Sequence, residues 1–376
     1  MWKDSNIGKC FDLYSGNTPS RMEKKHFIGD VNWITSGELK EHYIGDTKER
    51  ISEKAAEDNN LRILPVGTFV MAIYGLEAEG VRGTCSITVK TSTISQACMA
   101  FTPKSNVSNE FLYSWYKKHG NKIGIRYAQG TKQQNLSYDI IEKFPIRYPS
   151  IEEQEKLNTF ISLLDKRIAT QNKIIEDLKK LKVAIREKVF SEKKCNYKIG
   201  DVISQVSIRN KSKKETNILS VSNKWGFVEQ SEQFEDRIVA SEDITNYKVV
   251  RTNDFAYNPA RINVGSIARL KRYESGIVSP MYICFHSQNA LLPEYLELFF
   301  YTLYFKHEMY KRLEGSVRLC LSFEGLTNIP IFIPEITTQR EISIKVNSIE
   351  TKIGIEETYL NALKDQKQYL LKHMFI

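Results

Sequence analysis

Paired cysteines and long apolar runs are both missing from this chain. Cys10, Cys85, Cys98, Cys195, Cys284 and Cys320 stand singly, with no Cys-x-x-Cys pair and no histidine at zinc-ligand spacing, which argues against a structural metal site. The N-terminal stretch Met1-Trp2-Lys3-Asp4-Ser5 leads into no apolar signal core, and the longest apolar runs fall far short of the roughly 20 residues of a membrane span. The expectation is a cytoplasmic chain with reduced, mostly buried thiols and no membrane partner.

Catalytic signatures are absent as well. The sequence has no Gly-x-x-x-x-Gly-Lys-Ser/Thr phosphate loop, no Gly-x-Gly-x-x-Gly, no His-Glu-x-x-His and no Gly-x-Ser-x-Gly. Asn258-Pro259-Ala260-Arg261 faintly echoes the Asn-Pro-Pro-Tyr site of amino-methyltransferases, but it lacks the second proline and the aromatic that would stack on a flipped base. The expectation is a chain with no catalytic residues, no metal and no cofactor of its own.

What is present is enough apolar residue, 41%, to build a core in each of two domains over 376 residues. Lys and Arg outnumber Asp and Glu by 54 to 45, for a formal charge of +9. That balance favours an anionic partner without naming it.

An internal repeat organises the chain. Phe144-Pro145-Ile146-Arg147-Tyr148-Pro149-Ser150-Ile151, followed by Glu152-Glu153-Gln154, recurs as Ile329-Pro330-Ile331-Phe332-Ile333-Pro334-Glu335-Ile336, followed by Thr337-Thr338-Gln339. The offset of 185 maps Leu164 to Ile349, Asp165 to Glu350, Lys182 to Lys367 and Phe190 to Phe375 without a gap. Upstream it maps Gly130 to Gly315 and Leu136-Ser137 to Leu321-Ser322.

Each copy ends in a long helix. Pro149-Ser150 stops an extended segment and supplies an N-cap, with Glu152 and Glu153 complementing the helix dipole. No proline or glycine follows until Gly200, and Leu157, Leu164, Leu178 and Ile185 form one heptad row, with Ile161, Ile168 and Ile175 forming the other. Ile342, Ile349, Leu363 and Leu370, with Val346, Ile353 and Leu360, repeat both rows. Gln171 and Glu356, like Lys182 and Lys367, interrupt the seam at matching positions. The two helices are expected to pair, antiparallel if the halves face opposite ways. About 40 residues at 1.5 Å each span on the order of 60 Å, a spacer's length. The charged run Glu176 to Lys182 reads as a solvated face.

Ahead of each helix the pattern is mixed strand and helix. Residues 66–73 and 93–101 read as strands and Asn109 to His119 as a helix. In the second half 254–257 and 276–285 read as strands, and Pro293 to Met309 as a helix. The boundaries expected are 1–148, 149–192, 193–333 and 334–376. A similar scaffold with unlike loops is what differing specificities require.

The sequence resembles the specificity subunits of type I restriction-modification systems. The resemblance rests on Gly16-Asn17-Thr18-Pro19-Ser20 with Trp33-Ile34-Thr35-Ser36-Gly37, the duplicated Pro-x-x-x-Pro-x-x-x-x-Gln helix opening, and Asn258-Pro259-Ala260-Arg261 with Gly265-Ser266-Ile267. It implies an α+β fold: two mixed α/β target recognition domains in pseudo-twofold arrangement, separated by two long helices paired as an antiparallel coiled coil. It also implies a host-defence role in which each domain reads one half of a split double-stranded DNA target. Two modification subunits would dock on the helices, with restriction subunits joining through the complex. S-adenosylmethionine, ATP and magnesium would then belong to those subunits. The second helix opening departs from the first, with Thr337-Thr338 for Glu152-Glu153 and Arg340 for Glu155, so docking at the two ends is expected to be unequal. Without the resemblance, charge and heptads also fit a coiled-coil scaffold with protein-binding ends.

Base edges are read by bidentate donors, Arg for guanine and Asn or Gln for adenine, while cations meet phosphates. Candidates in the first half are Thr18, Ser20, Arg21, Lys24 and Lys25 on one turn, Arg82 on a Gly-rich loop, and Lys132, Gln133, Gln134 and Asn135 beside Gly130. In the second half they are Asn258, Arg261 and Asn263, and Arg318 beside Gly315. For each, an ordinary exposed turn is the alternative. Glu77 and Glu79 argue against a purely phosphate-binding role for the first Gly-rich loop; they would accept from a cytosine amino group or face water.

Overall fold

A computed structural model of the chain describes residues 2–76, 80–130, 134–191, 194–230, 243–315 and 318–375. The chain divides into two compact units, 1–172 with 359–376, and 173–358. Each unit thus combines a globular part with half of each long helix, whereas the sequence-based boundaries set helices and globular parts apart.

In the first unit a five-stranded sheet runs in the order Phe11–Ser15, Cys98–Pro103, Phe69–Ala72, Cys85–Thr88, Tyr43–Ile44, antiparallel except for its last pair. A three-stranded sheet of Arg50–Ile51, Val31–Ile34 and Ser92–Ile94 lies in the same unit. The helix Asn109–Tyr127 buries Phe111, Leu112, Trp115 and Tyr116 in the main core with Phe69 and Phe101. It is longer than the sequence pattern predicts. Gly120 and Gly124 lie inside it, where the helix passes close to Gly83 and Arg82.

The second unit holds a four-stranded antiparallel sheet, Ile203–Val206, Ile283–Ser287, Phe255–Tyr257, Ile267–Arg269. Two antiparallel pairs accompany it, Leu219–Ser222 with Gly226–Glu229 and Lys248–Arg251 with Ser275–Val278. Three stretches expected to be single elements are broken. Residues 93–101 divide at Ser95–Ala97, and 276–285 divides around Pro280, which has no N–H for a ladder. Pro293 to Met309 becomes Pro293–Phe300 and Leu303–Tyr310, because Thr302 accepts the Phe305 N–H and caps a new helix.

The units repeat one anchoring device. In the first, Lys3–Asn6 pairs with Pro145–Tyr148 and Ile7 N donates to Phe144 O. In the second, Tyr197–Lys198 pairs with Pro330–Ile331 and Ile199 N donates to Ile329 O. Gly8 and Gly200 follow. A Cβ on Gly8 would sit 2.2 Å from Glu142 Cγ, and one on Gly200 2.7 Å from Thr327 Cβ, so both positions require glycine for close packing.

The long helices run Ile151–Ser191 and Ile336–Met374. Ser150 accepts from Glu153 N at 3.4 Å, as its N-cap assignment requires. Within each unit they pack antiparallel. In the first, Asp165 pairs with Lys367 and the Arg167 guanidinium lies over Tyr359. In the second, Lys179 pairs with Glu357 and Lys182 with Glu350. Apolar heptad positions fill the seam: Ile161, Leu164, Leu360 and Leu363 are buried in one unit, Ile175, Val346 and Ile353 in the other. Of the polar seam positions, Lys367 and Lys182 form corresponding ion pairs with Asp165 and Glu350, related by the same offset of 185, while Glu356 pairs with Lys352. At the far end of each helix an aromatic enters a core. Phe375 packs against Phe111 in the first unit, and Phe190 against Tyr295 and Phe299 in the second.

Two glutamines fasten the helix openings. Gln154 is fully buried; its Oε1 accepts from Ser108 N, and its Nε2 donates to the carbonyls of Asn106 and Pro149. Gln339 repeats the pattern with Leu292 N, Ala290 O and Pro334 O. Each clasp ties the first turn of a long helix to the segment that begins a helix of the globular part.

Candidate nucleic-acid interface

The candidate loops lie in pairs, and the pairing is duplicated. In the first unit Leu136 N donates to Ile73 O at 2.9 Å and Leu76 N to Gln134 O at 3.0 Å, which sets the segment after Ile73 beside the one after Gln129. Gln129 and Asn135 exchange both backbone hydrogen bonds, closing the second loop. In the second unit Leu321 N donates to Pro259 O at 3.1 Å, the buried Tyr257 hydroxyl donates to Leu321 O at 3.2 Å, and Glu314 and Cys320 exchange backbone hydrogen bonds. Burial raises the Tyr257 hydroxyl pKa far above the ordinary tyrosine value, which keeps it a donor.

Side chains on these paired loops differ in what they leave free. Arg82 donates from Nε to Leu76 O at 2.6 Å and from its guanidinium to Gln134 Oε1 at 3.4 Å, so these two candidates knit the first loop pair together. Asn135 is exposed; Lys132, Gln133, Glu77 and Glu79 lie outside the described residues. In the second unit the Asn258 side chain accepts from Ala260 N at 3.1 Å, forming a turn, and its Nδ2 donates to Met281 Sδ at 3.8 Å. Ile262 is buried and holds the loop down. That leaves Arg261 exposed and Asn263 half-buried. Arg318 is exposed on the partner loop, and neither guanidinium bonds to another described residue.

The Thr18–Lys25 turn is a separate place. Trp33 Nε1 donates to Asn17 O at 3.2 Å, and Asn17 Nδ2 to Asn59 O at 3.4 Å, so the two early motifs pack on each other as scaffold. Thr18 is half-buried; Ser20 and Lys24 are exposed. Arg21 makes a two-pronged contact with Glu49 at 2.8 and 2.9 Å and lies over the rings of Phe27 and Trp33. The hydrogen bond and charge of Glu49 raise the Arg21 pKa, and Arg21 in turn lowers that of Glu49. Lys25 pairs with Glu23 at 3.0 Å. No hydrogen bond among the described residues joins this turn to the paired loops.

The structure adds groups that sequence reasoning did not single out. A cleft of about 710 Å³ in the second unit is lined by Lys182, Arg186, Lys224, Arg269, Lys271 and Arg340, with Glu294, Glu297 and Glu350 offsetting part of the charge. Arg269 is held by Glu294 and by Glu297, at 3.0 Å for the latter, and Lys271 pairs with Glu297 at 2.8 Å. Beside Lys224, Trp225 is 70% exposed at the tip of the Leu219–Ser222/Gly226–Glu229 hairpin. The signal was present in the sequence: Asn223-Lys224-Trp225-Gly226 between apolar runs is a hairpin pattern.

Residues 1–180 match the family model described as the type I restriction modification DNA specificity domain. Those residues, just under half of the chain, are similar to a type I DNA specificity domain. A curated relative, the type I restriction enzyme MjaIX specificity subunit of Methanocaldococcus jannaschii, is 29% identical over 193 residues. That stretch covers 50% of this chain but only 44% of the relative. Among solved structures, the S subunit from M. genitalium and the HsdS subunit from Thermoanaerobacter tengcongensis each align with 100% of this chain and 96% of theirs, at TM-score 0.56 and 15% identity. A chain from a structure addressing complex assembly and conformational transition of the type I restriction-modification system aligns at TM-score 0.62 and 15% identity, covering 98% of this chain and 96% of its own. At that identity the likeness is one of fold. It is the expected α+β fold of two mixed domains and a long helix pair. No helix among the described residues is long and apolar enough to cross a membrane.

Proposed function

We propose that this chain reads a split double-stranded DNA sequence, one half through each unit, with the long helices fixing the gap between the halves. The observation that carries the reading is the duplicated scaffold bearing unlike loops. Both units place a loop pair through matching backbone bonds, yet the offset of 185 sets Gln133 against Arg318, Asn135 against Cys320 and Leu76 against Arg261. Amide and guanidinium side chains favour different base edges, so similarly anchored loops of this kind select different half-sites. The cleft of Lys182, Arg186, Lys224 and Arg340 supplies cations for phosphates.

The helices serve a second purpose in this reading, as the docking place for two modification subunits, through which restriction subunits join the complex. Exposed apolar side chains support it: Phe160 and Leu163 in the first unit, Ile344 and Ile355 in the second. S-adenosylmethionine, ATP and magnesium belong to those partners, and this chain supplies the address without chemistry of its own. Selection of bound duplexes from a random pool, with modification subunits added, tests the reading. A two-part consensus with a fixed unspecified gap is expected; a single uninterrupted consensus, or none, overturns it.

A further inference from the structure

We propose that Trp225 is a specificity-determining residue of the second unit, inserting its indole between base pairs of the half-site that unit reads and stacking on the base faces this opens. The inference rests on the split-target reading above and deepens it.

The hairpin is built to hold this side chain out. Ser222 pairs with Gly226, leaving Asn223, Lys224 and Trp225 as a three-residue loop, and Gly226 takes φ +67°. That is a turn closed by a left-handed glycine, a geometry costly for any residue with a Cβ. Ser222 Oγ accepts from the backbone N–H groups of Lys224 and Trp225, at 3.3 and 3.4 Å, so the tip is tied to its own base. Leu219, Val221 and Phe227 bury the strands below. Ser266 Oγ donates to Val221 O at 3.0 Å, fastening the hairpin to the strand that follows the Arg261–Gly265 loop. A Cβ on Gly265 would lie 3.7 Å from Asn223 Cβ, so that loop and the hairpin tip lie close together.

Trp225 therefore stands on a braced tip against a candidate reading loop, with Lys224 Nζ 4.7 Å from its ring centroid. Lys224 also lines the basic cleft. A large aromatic beside a cation is the pairing that stacks on bases while meeting phosphate, and bracing means little freedom is lost on binding. The other tryptophans do not share its exposure: Trp33 and Trp115 are 2% and 4% exposed, and Trp2 is half-buried.

The test uses the full chain and the duplexes it selects from a random pool. Tryptophan emission is followed on titration with a selected duplex, for the wild type, Trp225→Phe and Trp225→Ala. Emission is expected to be quenched in the wild type and not in either variant. Trp225→Ala should bind roughly ten- to a hundredfold more weakly, within the range of one lost aromatic–base stack, and Trp225→Phe should retain most of the affinity. Repeating the selection with Trp225→Ala should blur one half of the consensus and leave the other sharp. Selected duplexes that bind Trp225→Ala like the wild type, with no emission change in the wild type, overturn the proposal while DNA reading stands. Quenching by modification subunits without DNA also overturns it, marking Trp225 as a protein contact. A wild-type chain that selects no duplex removes the split-target reading itself, and this proposal with it.

Discussion

Replacing Gln154 with leucine should destabilise the first unit by more than the loss of an ordinary surface contact. The side chain is fully buried and makes three hydrogen bonds of 2.8 to 3.0 Å, accepting from Ser108 N and donating to Asn106 O and Pro149 O. Leucine has nearly the same volume but no polar atoms, so one N–H and two carbonyls lose their partner on a fully buried side chain. At about 1 kcal/mol net per hydrogen bond, with more for any group left unpaired, the cost is about 3 kcal/mol or above. For a unit of this size about 3 kcal/mol lowers the melting temperature by roughly 6–12 °C. Gln154→Glu should be no rescue, because a carboxylate cannot donate to the two carbonyls. The matched substitution Gln339→Leu removes an equivalent set and should cost a similar amount in the second unit. Thermal unfolding of the full chain, followed by circular dichroism and calorimetry, reads both. A Gln154→Leu chain melting within about 1 °C of the wild type would refute the clasp argument.

Phe375→Ala should cost about 3–5 kcal/mol, because the ring is fully buried against Phe111; equilibrium urea unfolding checks this, and a change under about 1 kcal/mol would show that the chain end is not part of the core. Burial pushes the thiols of Cys85, Cys98 and Cys284 up to about 12, so their thiolate is scarce below that pH and they should resist a thiol reagent at pH 8 until the protein unfolds. Partly exposed Cys195 and Cys320 should label in the native state, as peptide mapping would show. Arg261→Ala and Arg318→Ala should each weaken binding to a selected duplex by about 1–3 kcal/mol if they meet bases. Loss uniform across sequences, with a shallower salt dependence, would mark them as phosphate contacts instead.

The helices were legible in the sequence because three signals coincide there: a duplicated opening, two heptad rows, and no proline or glycine from Ile151 to Gly200. The pairing of the two helices followed from the same pattern, and its antiparallel sense from the family resemblance. The exchange of partners at polar seam positions did not, since Asp165–Lys367 and Glu350–Lys182 join residues far apart in the chain. Short strands were less legible. A run such as 93–101 has uniform β character, yet its hydrogen bonds change partner at Ser95–Ala97, from Val31–Ile34 to Phe69–Ala72. In the candidate interface the loops were found but the direction of their side chains was not. Arg82 and Arg261 look alike in sequence; the first is spent on Leu76 O and Gln134, while the second is exposed. Which of the two fates a loop arginine meets depends on whether a carbonyl from another segment is within reach, and that is set by packing. The hairpin carrying Trp225 is legible in the sequence, but composition treats a tryptophan as core, and only the fold shows the tip holding it out.

The central claim, two independent readers on one ruler, is tested most directly by exchanging residues 1–148 for the aligned segment of a type I specificity subunit and repeating the duplex selection. One half of the consensus should change, while the other half and the gap remain as in the parent. A consensus changed in both halves, or unchanged in both, would contradict the account.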